Sequence, residues 1–172
     1  VLRKLHGSIW GRPVFYIAEG GAYVDMFPHT VTLYHELTET DPATFQDVTA
    51  YAITLLRGVL LDAAKGSHVT KSGLEGADTV NLYIPFDVEA VDGVTGVSKR
   101  YAGAAEFRNA DDPSGLWTLT VDGKTFFVRG EAVHPDWDAQ KLEAAYDGVY
   151  NVTNVDFKDF GGEMRHWEVG GA

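Results

Sequence analysis

The chain contains no cysteine, so disulfides, thiolate metal sites and cysteine nucleophiles are excluded. It also lacks basic charge: 14 Lys and Arg stand against 25 Asp and Glu, a formal charge of −11. Gripping a nucleic-acid backbone needs clustered cations that displace counterions, and this composition does not supply them. No apolar run approaches the roughly 20 residues that span a bilayer. The longest such stretch, residues 51–64, is broken by Thr54, Arg57 and Asp62. Near the N-terminus, Gly7, Ser8, Gly11, Arg12 and Pro13 interrupt the apolar core that a secretory signal requires.

What is present suits one domain. A length of 172 residues with 45% hydrophobic content can build a single packed core and is short for two. Residues 1–25 stand apart, either as a genuine arm carrying Ile9, Trp10, Val14, Phe15, Tyr16 and Ile17, or as the product of an upstream start choice before Met26. Omitting them removes Arg3, Lys4, Arg12, Glu19 and Asp25 and moves the formal charge from −11 to −12, so the acidic balance does not depend on them. Residues 26–172 form the expected domain.

Period-2 alternation marks the strands. It appears in TVTLYHE (residues 30–36), where Val31 and Leu33 alternate with Thr32 and Tyr34, and in TVNLYIPF (residues 79–86). Residues 48–61 are rich in β-branched and aromatic side chains and are read as a strand with Gly58 as a bulge or bend. Trp117, Leu119 and Val121, then Asp122-Gly123 and Phe126, Phe127 and Val128, predict a hairpin. Helical spacing of Trp137, Leu142 and Ala145 predicts one short helix within 135–146, with Asp136 as cap and Gly148 as stop. Two closing strands flank Gly161-Gly162. Residues 90–104 show no sustained period. The fold class is therefore mainly β, a small β-barrel or sandwich with one short helix and long loops.

The longest expected loop is residues 65–78, where Lys65, Gly66, Ser67, His68, Lys71, Ser72, Gly73, Gly76 and Asp78 leave little to bury. A connection of this length is usually functional or disordered, and it is the candidate gating or docking loop. Trp117, Trp137 and Trp167 are candidate core or interface anchors.

No catalytic, cofactor or metal constellation emerges. His35-Glu36 has Glu39 where a zinc-protease helix would place its second His. His134, Asp136 and Asp138 are better explained by helix capping. Asp156, Asp159 and Glu163 lack a calcium-loop pattern. No phosphate loop, dinucleotide fingerprint or nucleophile elbow is present, and Asn151-Val152-Thr153 is read as a chance sequon.

Two segments carry more than composition: TVTLYHE and YDGVYNVTNVDFKDFGGEMRHWEVGG (residues 146–171). With RGV (57–59), IPF (84–86), WTL (117–119) and VRGE (128–131), they resemble head-tail connectors of long-tailed bacteriophages, the stopper or minor-capsid type. The resemblance implies a ring-forming β-barrel structural protein of the virion neck, expected as a hexamer and assembled in the host cytoplasm. Its partners would be the portal and adaptor above and the tail terminator or tail tube below. DNA would pass through the channel without specific binding, and no membrane is involved. The alternatives are a tail terminator of the same neck and, from another class, a carbohydrate- or host-binding β module.

Overall fold

The computed structural model describes residues 26–41, 43–64, 67–70, 73–76 and 79–172. The alternating segment becomes β1 (His29–Thr40), which turns back into the long β2 (Asp47–Ala64). β3 (Ser67–Thr70), β4 (Gly73–Gly76), β5 (Thr79–Pro85), β6 (Glu89–Asp92) and β7 (Arg100–Tyr101) follow, then helix α1 (Ala104–Arg108). β8 (Leu116–Trp117), β9 (Thr125–Arg129), helix α2 (Ala139–Ala145), β10 (Val149–Lys158), a short 3-10 turn (Gly162–Met164) and β11 (His166–Gly171) complete the chain.

Strands pair in the order β1-β9-β10-β11-β5-β2, and β2 returns to β1, closing an antiparallel barrel of six strands with β6 added against β2. Closure removes the free edges of the sheet. β2 serves two partners because it bends: residues up to Val59 pair with β1, and Leu60 to Ala64 pair with β5. At the bend Gly58 adopts φ 81 and is the extra residue between Arg57, opposite Thr30, and Val59, opposite His29. The predicted bulge is there, and a side chain at this φ would be strained.

Two apolar layers follow from the alternation. Val31 and Leu33, Leu56 and Val59, Leu82 and Ile84, Phe127, Val152, Trp167 and Val169 form one cluster drawn from all six barrel strands, which fills the interior. Each such side chain contributes about 1.5–3 kcal/mol on burial. The outward residues Tyr34, Ile53, Phe126 and Val128 form a second cluster, covered by Ala132, which follows β9, and by Leu142 of α2. β1 fastens this cover itself. Thr32 Oγ1 donates to the Gly130 carbonyl at 2.7 Å and accepts from the Ala132 amide at 2.8 Å, while the Tyr34 hydroxyl donates to the Ala132 carbonyl and accepts from the His134 amide.

Four expectations need correction. Residues 67–70 and 73–76 are an antiparallel hairpin rather than a loop, because Ser67 pairs with Gly76 in the register that Ala64 and Thr79 already set. Residues 117–128 do not form a hairpin: both edges of β9 are taken by β1 and β10, and β8 pairs in parallel with β7. α2 is shorter than expected and starts later, because Asp138 rather than Asp136 accepts the Lys141 amide as N-cap. Residues 90–104, read as irregular, hold β6, β7 and the start of α1, a second helix whose single buried side chain, Phe107, leaves little period to detect.

Candidate functional site

Since β1 and β10 both run antiparallel to β9, they run the same way, and the β1–β2 turn and the β10–β11 turn lie at one end of the barrel. The β3–β4 hairpin prolongs β2 and β5 from the other end. Around the wall, β1 and β2 adjoin each other on one side, while β10 and β11 occupy the opposite side, separated from them by β9 and β5.

The β1–β2 turn is held by its own acid. Asp41 accepts from the Ala43 amide at 2.8 Å and the Thr44 hydroxyl at 2.7 Å, its backbone amide donates to Gln46, and its carbonyl accepts from the Phe45 amide. These bonds hold the Asp41 carboxyl below its ordinary pKa. Within this frame Phe45 stands at φ 56 with its ring 83% exposed. At the opposite turn, Phe157, Phe160 and Met164 are exposed, Phe157 stacks on Phe86 at 4.7 Å, and the Arg165 guanidinium lies 5.7 Å above the Phe86 ring.

At the start of β9 runs a line of polar groups. Thr120 Oγ1 donates to Asp122 at 2.6 Å and so must accept from Thr125, whose oxygen then accepts from Nδ1–H of His35 at 2.8 Å. His35 is buried, edge-on to Phe107, and burial lowers its pKa although the Asp122 charge opposes this.

A buried ion pair secures the β6 side. Lys99 Nζ lies 2.8 Å from Asp92 and donates to the Ile53 carbonyl. Burial raises the Asp92 pKa, but Lys99, the Thr95 amide and the Thr95 hydroxyl outweigh it and bring it to about 2.

Of the predicted anchors, Trp117 and Trp167 meet in the barrel interior, T-shaped at 5.5 Å with Tyr101 against both. Trp137 is separate, half-buried and stacked on His134 at 4.0 Å under the outer cover. In the proposed loop, Ser67 and His68 lie in β3 and Gly73 and Gly76 in β4, while Lys65, Gly66, Lys71, Ser72 and Asp78 lie outside the described residues. The acids weighed as ligands have structural partners: Asp138 caps α2, Asp156 pairs with Lys158, and Asp159 accepts the Gly161 amide. Among the described residues no group of three His, Asp or Glu is placed to hold a metal ion, and no helix is long and apolar enough to cross a membrane. Phe45, Phe160 and Met164 are also exposed, and the sequence marks them only as large apolar residues placed among turn formers.

The strand pairing defines the class: a small closed antiparallel β-barrel protein, with exposed apolar side chains at two of its turns. Residues 26–172 match a family described as a family of unknown function, DUF6751, and the chain belongs to it. No curated protein and no solved structure matches the chain.

Proposed function

We propose that the protein is a ring-forming head-tail connector of a phage neck, of the stopper type, which joins the DNA-filled head to the tail and helps to retain the DNA. The observation that carries the reading is that the two segments with the connector resemblance fold into one framework. TVTLYHE lies in β1 and the closing segment supplies β10 and β11, so they form facing walls of the same barrel. The acidic balance supports it as well, since a channel for passing DNA must not bind phosphate. The β3–β4 hairpin, at the end opposite the two apolar turns, is the element suited to close the channel or seat on an adjacent ring. Against a sugar-binding module, Trp117 and Trp167 are buried and offer no stacking face, while the half-buried Trp137 has one face taken by His134.

Light scattering on the purified chain, alone and with the portal and adaptor complex, tests this reading. A closed oligomer of about six copies is expected. Monomer in both conditions would sink it. Stopper and terminator separate in particles assembled without the protein: heads that lose their DNA indicate a stopper, and tails without a fixed end indicate a terminator.

A further inference from the structure

β1 turns Val31 and Leu33 into the barrel, and the period of two puts His35 and Leu37 on the same inner face. Opposite His35, β2 places Ala52, in step with the inward Leu56, and β9 begins with Thr125, in step with the inward Phe127. At this level the wall therefore offers a histidine, a threonine and an alanine in place of large apolar groups, and the filling comes from elsewhere in the chain. Helix α1, between β7 and β8, lays Phe107 edge-on to His35 at 4.9 Å and packs it with Ala102 and Leu116 against Leu37 and Ala52. α1 is thus a plug in the end of the barrel that carries the β1–β2 turn. Little holds it there. It has five residues, Gly103 supplies no side-chain cap, Phe107 is its one buried side chain, and both partners of its Arg100–Glu106 ion pair are more than half exposed.

We propose that α1 is an acid-released plug: protonation of His35 drives Phe107 and the α1 segment out of the barrel end while the six-stranded wall stays closed. The Asp122–Thr120–Thr125 line commits the Nδ1–H of His35, so an added proton goes to Nε2, which has no hydrogen-bond partner among the described residues. A buried cation with an unpaired donor against a phenyl ring is unfavourable, and admitting water relieves it. The charges that reach His35 are Asp122, which favours the imidazolium, and Lys124, which opposes it. β2 faces it with Ala52 and β9 with Thr125; α1 faces it with Phe107 and leaves Glu106 and Arg108 in solvent, and Glu36 lies on the other face of β1. β1, β2 and β9 are locked in the ladder of a closed barrel, so α1 is the side that yields at least cost. Burial lowers the His35 pKa in the closed form, and hydration restores the ordinary value in the open one, so opening grows as the pH falls below about 6.5. The device belongs to a single copy and stands whether or not copies form a ring.

Hydrogen exchange of the full chain, followed by mass spectrometry, tests it. Between about pH 7.5 and about pH 5, after correction for the intrinsic exchange rate, protection over residues 102–110 should fall at least about tenfold, while β1, β9 and β10 keep theirs. His35→Gln keeps a polar side chain that does not titrate, so protection over the same residues should then be equal at both pH values. Should that variant not fold, Asp122→Asn decides: it keeps an oxygen for Thr120 to donate to and removes the charge that favours the imidazolium, so opening should move to lower pH. A wild-type profile without the drop, a drop that His35→Gln retains, or a midpoint that Asp122→Asn leaves in place would overturn the proposal. So would loss of protection in the strands at the same pH, since the whole barrel and not the plug would then be giving way.

Discussion

His35 and Asp92 lose their native states in different pH ranges. The pKa of His35 is lowered by burial, so the unfolded chain takes up its proton first, and stability falls as the pH drops through about 6.5. The pKa of Asp92 is about 2 against an ordinary 3.8, so its contribution is complete above pH 4 and is lost as the pH falls from about 4 to 2. Urea unfolding between pH 8 and 2 should show both declines. His35→Gln should flatten the first, and Asp92→Asn should remove the second while lowering stability at neutral pH by leaving Lys99 unpaired. Trp167→Ala should cost about 3–5 kcal/mol, because the ring is 5% exposed and touches Trp117, Tyr101 and Phe86. An unchanged melting temperature would contradict its place in the core.

At the scale of elements, the β3–β4 hairpin continues a ladder that β2 and β5 complete without it. Replacing residues 66–76 by a tight turn should leave far-ultraviolet circular dichroism and cooperative melting near wild type. In particles the same variant should release packaged DNA or fail to join tails; normal particles would remove any gating or docking role. The hairpin was hidden in the sequence because its strands carry Gly at both ends of GLEG and offer little apolar alternation. β1, β5 and β11 were legible for the converse reason: each has one face in the barrel core, so burial imposes a period of two. β9 misled the reading because Phe126 and Phe127 are both buried, one outside the barrel under α2 and one within it, and local sequence does not record which strands take its edges. Of the candidate site, Trp117 and Trp167 were legible as core anchors. Phe45 was not, since its meaning depends on a backbone angle.

The whole molecule is an acidic barrel with exposed apolar side chains at two turns of one end and a hairpin that prolongs the wall at the other. The most direct measurement is electron microscopy of the full chain mixed with the portal and adaptor complex. The expected result is rotationally symmetric rings with an open centre, seated on the adaptor. Single barrels alone, with the adaptor bare, would contradict the assignment.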